Sequence, residues 1–278
     1  MGWRGELERA TGLPVRKHRP LGGGCVAAVH RAWLGDGRSV VAKVADSGLA
    51  IEAWMLRYLG EHSALPVPAV VHASDSLLVL AYVEHGGRGG ADEDAADHLA
   101  RLHDITTDRF GLERDTVIGG LPQPNRRSRS WIEFFAERRL LAMGARALES
   151  GRLPAGAYAG LERVAARLSE WIDEPAHASL VHGDVWTGNV LTDSGRVRAF
   201  IDPAIYYADP EIELAFVTLF STFGPRFFDR YREHRGLAAG FFEVRRDLYN
   251  LYPLLVHTEL FGGGYAAQVE RGVRRLVG

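Results

Sequence analysis

Residues 180–204, LVHGDVWTGNVLTDSGRVRAFIDPA, set three polar side chains among runs of apolar residues. Asp184 follows the first run, Asn189 comes five positions later, and Asp202 ends a second run. Apolar runs rich in β-branched residues and bounded by turn residues are typical of buried strands. The pattern therefore predicts a rigid loop between strands that presents two carboxylates and an amide.

The composition is that of a folded protein without a strong charge bias. The chain has 278 residues, of which 46% are hydrophobic and 24% charged, and its net charge is -2. No apolar run approaches the roughly 20 residues needed to cross a bilayer, and MGWRGELERATGLPV at the start lacks the apolar core of a secretion signal. One cysteine, Cys25, fits a reducing compartment. We therefore expect a cytoplasmic protein that binds neither nucleic acid nor membranes, while its oligomeric state is left open.

The order of predicted elements gives a β-rich first part and a helical second part. Two apolar segments joined by GDGR at residues 35–38 predict a hairpin, and a strand is expected at residues 77–83. Between them, SGLAIEAWMLRYLGEH predicts a helix capped by Ser47. The glycine-rich stretch EHGGRGGADED at residues 84–94 predicts a linker, and helical spacing dominates beyond it. We expect an α+β fold of two lobes, with a small β-rich lobe at 1–83 and a larger, mostly helical lobe at 84–278.

A glycine-rich turn joins the first two predicted strands. LGGGCVAAV follows the pattern G-x-G-x-x-G-x-V at Gly22, Gly24 and Val29, with Ala27 in place of the third glycine. Such a turn, which includes Gly23, exposes backbone N–H groups and lets phosphates approach closely. Glycine-rich turns are common, so this motif alone is a weak indication of nucleotide binding.

Lys43 stands within the apolar strand VVAKVA, in a chain that has only one other lysine. It could extend its ammonium group to water along an apolar surface. Alternatively, it could contact phosphates while a carboxylate of the following helix, Glu52, holds it in place. Glu52 could equally be a solvated helix residue.

The spacing H-G-D-x-x-x-x-N in residues 182–189 favours phosphoryl transfer. A carboxylate such as Asp184 can accept the proton of an acceptor hydroxyl, while Asn189 and Asp202 offer the oxygen ligands that nucleotide-bound Mg²⁺ requires. Asp and Asn also cap turns. The order of the glycine loop, the strand lysine and this loop nevertheless predicts an ATP-dependent phosphotransferase whose first lobe binds the nucleotide. The protein-kinase pattern has arginine at Gly183 and DFG at the DPA of residues 202–204, and no A-P-E segment follows.

Several segments resemble one family of small-molecule kinases. HGD followed by DP is similar to the aminoglycoside phosphotransferase superfamily, whereas GGGC at 22–25, IGGLPQPN at 118–125, WIEFFAERRL at 131–140 and HGDVWTGN at 182–189 resemble the fructosamine-3-kinase (ketosamine-3-kinase) family. DPAIYYADPEIELA at 202–215 and LFGGGY at 260–265 extend the resemblance over the chain. It implies transfer of the ATP γ-phosphate to the 3-hydroxyl of a fructosamine or ribulosamine, free or on a glycated protein. The product decomposes and releases the amine, which amounts to deglycation.

The resemblance also implies roles for individual residues. Asp184 would be the base, Asn189 and Asp202 the Mg²⁺ ligands, and Lys43 with Glu52 the pair that holds the phosphates. The backbone of Ala81 and Val83 would receive the adenine. Glu213 stands where the wider superfamily has aspartate, which bears on how the catalytic loop is braced.

For the acceptor we consider Trp186 as a wall against the sugar, with Glu211 and His257 as further candidates. Trp186 is equally compatible with a core aromatic residue, and a histidine on the apolar helix LYPLLVHTELF is more often a core residue than a ligand. Cys25, in the glycine-rich turn, is a candidate for redox regulation of nucleotide binding, or simply a small apolar residue.

Two rival functions remain open at this point. A kinase of the same fold could act on an aminoglycoside, choline or homoserine, and a polycationic aminoglycoside would need many carboxylates around it. A scaffold that binds nucleotide without catalysis is the other alternative. Intact Lys43, Asp184, Asn189 and Asp202 argue against the scaffold, because a degenerate site usually lacks one of them.

Overall fold

A computed structural model describes residues 2–22 and 27–278. Within these residues, the first part of the chain forms helix α1 and a sheet whose strands follow the order β1-β2-β3-β5-β4, all antiparallel. The bounds are α1 (Trp3–Thr11), β1 (Val15–Pro20), β2 (Ala28–Leu34), β3 (Ser39–Val44), α2 (Leu49–His62), β4 (Val70–Ala73) and β5 (Leu77–Ala81). The predicted hairpin is confirmed by β2 and β3, which pair from Ala28 and Val44 to Trp33 and Ser39.

The two faces of this sheet are both covered. Leu77 and Val79 of β5 pack with Leu7 of α1 on one face, while Leu78 and Leu80 pack against α2 on the other. Burial on both faces explains why β5 is an unbroken apolar run rather than an alternating one.

Helix α2 begins one residue later than the sequence predicted. Its N-cap is Gly48, with φ +90°, and the Gly48 N–H donates to Asp75 Oδ1 at 2.9 Å. The expected cap by Ser47 is therefore wrong, because the start of the helix is held by a carboxylate from the β4–β5 turn.

The rest of the chain is mostly helical, with short strands inserted. Its helices are α3 (Asp92–His103), α4 (Trp131–Phe134), α5 (Ala142–Glu149), α6 (Ala155–Ala166), α7 (Glu211–Leu219), α8 (Pro225–Arg235), α9 (Arg246–Tyr249), α10 (Leu251–Phe261) and α11 (Gly264–Val277), with π-helical turns at Phe135–Leu141 and Phe241–Arg245. Its strands are β6 (Gly87–Arg88), β7 (Thr106–Thr107), β8 (Thr116–Ile118), β9 (Leu121–Gln123), β10 (Ala178–Val181), β11 (Val190–Asp193), β12 (Arg196–Phe200) and β13 (Tyr206–Ala208). The α+β class, with a sheet first and helices after it, agrees with the expectation.

The predicted linker at 84–94 is only partly a linker. Gly87 and Arg88 form β6, which pairs with Thr192 and Leu191 of β11, and α3 already starts at Asp92. The pairing joins residues about a hundred positions apart, which no local pattern reveals. The division of lobes at Val83 and Glu84 falls between β5 and β6, and we keep it as a proposal.

The largest core lies among the helices of the second part. Trp131, Phe134, Phe135, Tyr206 and Tyr249 are buried at its centre. Strands β10 and β11 contribute residues to this core, and residues 182–189 form the loop that connects them. Among the described residues, no helix combines the length and the apolar character that a membrane span requires.

Candidate active site

The loop between β10 and β11 is shaped by Gly183. Its φ is +85°, and a Cβ at this position would lie 2.1 Å from the carbonyl oxygen of Ala204. Such a contact with backbone is impossible, and the φ itself is unfavourable for any residue with a Cβ. This is the physical reason for glycine where the protein-kinase pattern has arginine.

Asp184 and Asn189 lie on the predicted loop and are in direct contact with each other. Asn189 Nδ2 donates to Asp184 Oδ2 at 2.8 Å and to the Asp184 carbonyl at 2.9 Å, after a 3-10 turn at Thr187–Asn189. Burial, together with the nearby charge of Asp202, raises the pKa of Asp184 to about 8. A carboxyl group with a raised pKa is a stronger base once ionised, which suits proton acceptance from a hydroxyl.

Lys43 connects the sheet to the helical part of the chain. Its ammonium pairs with Glu52 of α2 at 2.5 Å and also with Asp202, which follows β12 with φ +57°. Burial disfavours the charged lysine, but the two carboxylates outweigh it and raise the pKa of Lys43. The lysine, its helix carboxylate and the second aspartate, which the sequence singled out separately, therefore meet at one point.

Glu213 of α7 braces the catalytic loop from behind. Its carboxylate accepts the Gly183 N–H at 2.6 Å, the His182 N–H at 3.3 Å and a hydrogen bond from His103 Nε2 at 2.9 Å. Burial opposes ionisation, yet the hydrogen bond and charge of His103 hold the pKa of Glu213 below its usual value. The glutamate singled out in the sequence therefore does contact this loop. The buried His182 lies in the same loop, and its Nδ1 accepts the Asp184 N–H at 3.3 Å.

A cavity of about 480 Å³ contains these groups. Lys43, Glu52, Asp184, Asn189 and Asp202 all line it. Its other lining residues come from several elements: Ala27 before β2, Val29 in β2, Asp46 to Leu49 before and at the start of α2, Met55, Arg88, the turn of the β8–β9 hairpin, Trp186, and Val256, His257, Leu260 and Phe261 of α10. Sequence reasoning missed the hairpin turn Gly119–Gly120 and Phe261 as lining residues. The resemblance had included IGGLPQPN and LFGGGY, and these segments supply both.

The residues of this cavity fit nucleotide-bound Mg²⁺. Both hydrogen atoms of Asn189 Nδ2 are used by Asp184, so the amide orientation is fixed, and the Asp202 side chain is partly exposed to the cavity. Mg²⁺ is commonly bound by one or two carboxylates together with phosphate oxygens and water. In residues 2–22 and 27–278 no group of three or more His, Cys, Asp or Glu side chains is arranged to hold a metal. Nucleotide phosphates would therefore have to complete the coordination.

The other predicted nucleotide contacts are less directly described. Gly22 follows β1, whereas Gly23, Gly24 and Cys25 lie outside the described residues. Ala81 ends β5, and neither it nor Val83 belongs to the residues that line the cavity. Their contact with adenine remains a prediction.

Comparison with known proteins identifies the family. The fructosamine kinase family model matches residues 5–278. The chain belongs to the fructosamine kinase family. Members of this family are phosphotransferases. Family membership does not decide whether the acceptor is a free small molecule or a group attached to a protein.

Relatives in this family cover nearly the whole chain. A "probable ketoamine kinase" of Synechocystis is 34% identical, over 98% of this chain and 95% of its own length. The chloroplastic protein-ribulosamine 3-kinase of Arabidopsis thaliana is 30% identical, over 93% of this chain and 82% of its own. A crystal structure of a protein from Thermobifida fusca assigned as a fructosamine-3-kinase has a TM-score of 0.88 at 31% identity, covering 99% and 98% of the two chains.

The fold is also that of antibiotic kinases. An aminoglycoside phosphotransferase in a ternary complex with ADP and hygromycin B has a TM-score of 0.67 at 20% identity, and the match covers 100% of both chains. At this identity the likeness concerns the two-lobed, kinase-like fold alone.

In this fructosamine kinase family member, Trp186 and His257 line the cavity. Trp186 is 40% exposed and packs edge-to-face on Phe220, so it is not a core residue. His257 Nδ1 donates to the Pro253 carbonyl at 2.8 Å, which leaves Nε2 of the neutral ring without a partner among the described residues, and burial lowers the pKa of His257. Phe261, 52% exposed, packs on His257.

Glu211 lies elsewhere. Its carboxylate forms two hydrogen bonds with Arg245, at 2.5 and 2.8 Å, and it lines a separate cavity together with Asp209 and Tyr231. Because Glu211 forms an ion pair with Arg245 and lines a different cavity, we no longer consider it a candidate for contact with the acceptor.

Proposed function

We propose that the protein transfers the γ-phosphate of ATP to the 3-hydroxyl of a ketosamine, a fructosamine or ribulosamine, and so initiates deglycation. The observation that supports this most directly is the convergence of Lys43, Glu52, Asp184, Asn189 and Asp202 on one cavity. Membership of the fructosamine kinase family supports the acceptor class.

The residues divide the chemistry between them. Asp184 accepts the proton of the acceptor hydroxyl as the bond from oxygen to the γ-phosphorus forms and the bond to the ADP oxygen breaks. Lys43, fixed by Glu52, contacts the phosphates, and the glycine-rich motif at Gly22, Gly23 and Gly24 is of the kind that binds phosphates through backbone N–H groups. Bound through Asn189 and Asp202, Mg²⁺ would neutralise charge on the phosphates.

The acceptor enters from the side of Trp186 and His257. An indole presents an apolar face to the C–H surface of a sugar, and the free Nε2 of His257 accepts a hydrogen bond from a hydroxyl. The adenine is expected at the backbone of Ala81 and Val83. The single cysteine supports a cytoplasmic location for the reaction.

The first test measures ATP consumption, with Mg²⁺, against ribulose-lysine, fructose-lysine, kanamycin and choline, and without acceptor. The variant Asp184→Asn is the matched control, because it keeps the shape and the bond from Asn189 but cannot accept the proton. We expect turnover of a ketosamine that the variant lacks. Turnover only of kanamycin or choline would contradict the acceptor class, and ATP binding without any turnover would favour the scaffold.

A further inference from the structure

Ala204 connects the two carboxylates of the active site. Its N–H donates to the carbonyl of His182 at 2.8 Å, two residues before Asp184, and it lies two residues after Asp202. Its carbonyl oxygen faces the Cα of Gly183 so closely that no Cβ fits between them. Any shift of Ala204 would therefore alter the separation of Asp184 and Asp202.

Gln123 holds the carbonyl of Ala204. The Gln123 Nε2 donates to this oxygen at 3.0 Å and to Thr116 Oγ1 at 3.0 Å, while Gln123 Oε1 accepts from the Tyr252 hydroxyl at 2.9 Å. Both hydrogens and the oxygen of the amide are engaged, so its orientation is fixed. The side chain is completely buried and lines none of the described cavities, so it can act only through its neighbours.

Arg139 fixes the segment that carries Gln123. From the π-helical turn after α4, its guanidinium donates to the Pro124 carbonyl and to Asn125 Oδ1, both at 2.7 Å. Its guanidinium carbon lies 3.9 Å from the centre of the Tyr206 ring, and the partners that the described part of the chain gives it are neutral acceptors and aromatic rings. Burying a cation without a carboxylate partner costs free energy of folding. For Arg139 this cost is offset by hydrogen bonds to neutral acceptors and by contacts with ring faces, which require a fixed geometry.

We propose that Gln123 is a positioning residue for phosphoryl transfer, which sets the separation of Asp184 and Asp202 through Ala204 while Arg139 holds Gln123 in register. The proposal rests on the proposed function. The role explains why a glutamine, and not an apolar residue, occupies a fully buried position beneath the active site. Displacement of reacting groups by about 1 Å can cost on the order of 100-fold in rate.

The test compares Gln123→Met with Tyr249→Phe. Methionine keeps the volume and removes the hydrogen bonds. Tyr249 is equally buried; its hydroxyl donates to Asp209 Oδ2 at 2.7 Å and accepts from Trp131 Nε1 at 2.9 Å, so Tyr249→Phe removes buried hydrogen bonds that involve neither Gln123 nor Ala204. A merely structural role would give both variants the same loss of stability and leave their kinetics alike.

We expect Gln123→Met to lower kcat by about 10- to 100-fold, with a much smaller change in KM for ATP, and Tyr249→Phe to retain kcat. Calorimetric titration with ATP gives a readout independent of turnover. Affinity without metal should be unchanged in Gln123→Met, whereas the gain in affinity on adding Mg²⁺ should shrink because Asp202 has moved.

Two results would overturn the proposal: wild-type kcat and wild-type Mg²⁺ dependence in Gln123→Met, or the same losses in Tyr249→Phe. If the wild-type protein turns over no ketosamine, the proposed function fails by itself. The Mg²⁺ dependence of ATP affinity in the two variants then still decides the positioning role.

Discussion

At the scale of single residues, backbone geometry decides which side chains the site tolerates. Gly183 has φ +85°, and a Cβ added to it would collide with the Ala204 carbonyl. Gly195, in the turn between β11 and β12, has φ +74°, and a Cβ added there would meet no described atom within 4 Å. The two glycines share the left-handed conformation and differ only in the room around them. Comparing alanine substitutions at the two positions therefore separates the strain of a positive φ from the steric clash with the Ala204 carbonyl.

Gly183→Ala is expected to abolish most activity, because the new methyl group must displace the Ala204 carbonyl and with it Asp184. We expect a fall in kcat of about 100-fold or more. Gly195→Ala should cost only the strain of about 1 to 2 kcal/mol that a positive φ imposes, with kcat retained. Steady-state kinetics and urea unfolding of both variants test this, and equal kcat values would contradict it.

Glu213→Gln is expected to destabilise the protein in a pH-dependent way. The folded-state pKa of Glu213 lies below that of an ordinary glutamate, so its ionised form stabilises the fold at pH values above the unfolded-state pKa. This contribution is lost as the pH falls through the folded-state pKa. Glutamine also directs an NH₂ group toward backbone N–H donors, which cannot accept a hydrogen bond. We expect the free energy of unfolding to fall by about 2 kcal/mol at pH 7.

Urea unfolding of wild type and Glu213→Gln between about pH 2.5 and pH 7.5 measures this difference. The gap between their free energies of unfolding should be widest at neutral pH and should narrow only as the pH falls below the pKa of an ordinary glutamate and through the lowered folded-state pKa. A gap that stays constant over the range would show that the charge of Glu213 is not involved.

At the scale of elements, the sequence predicted what depends on neighbours along the chain. The hairpin at GDGR, the mostly helical character of the second part of the chain and the loop carrying Asp184 and Asn189 follow from local turn chemistry and spacing. Features set by distant partners were not predictable. Arg88 pairs with β11, Asp75 accepts a hydrogen bond at the start of α2, and Arg245 forms an ion pair with Glu211. In each case the partners are far apart in the sequence, and a local hydrophobic pattern gives no information about such partners.

The start of α4 provides a prediction of this kind. Glu174 accepts the N–H groups of Trp131 at 2.7 Å and Ile132 at 3.3 Å, which serves the unpaired donors of the first helical turn. Glu174→Gln should lower the free energy of unfolding by about 1 kcal/mol and leave kcat unchanged. Glu170→Gln, at an exposed pair with Arg167, is the control and should alter neither quantity.

At the scale of the whole molecule, the sheet and the helical part meet at the cavity lined by Lys43, Asp184 and Asp202. Asp202 belongs to the helical part, while Lys43 and Glu52 belong to the sheet and to α2. The predicted two-lobed α+β class is confirmed by this arrangement and by the family structures. The polar residues Lys43, Asp184 and Asn189 of the cavity could be singled out because their motifs are local, whereas Phe261 and the Gly119–Gly120 turn reach the cavity only through tertiary packing.

ATP with Mg²⁺ is expected to stabilise the whole molecule against heat. A ligand at about 100 times its Kd adds about 2.7 kcal/mol to the free energy of unfolding. Removing Mg²⁺ with a chelator should reduce the shift in Tm for the wild type. In Asp202→Asn the shift should be small with or without metal, and a full Mg²⁺-dependent shift in that variant would exclude Asp202 as a ligand.

The shared lysine bears on how the protein folds. Lys43 has one carboxylate partner from its own half of the chain, Glu52, and one from the other half, Asp202. Severing the chain between Val83 and Glu84 would leave a buried charge incompletely neutralised in one fragment and an unpaired aspartate in the other. Such fragments should recover a native structure only on mixing, and the intact chain should melt in a single cooperative transition.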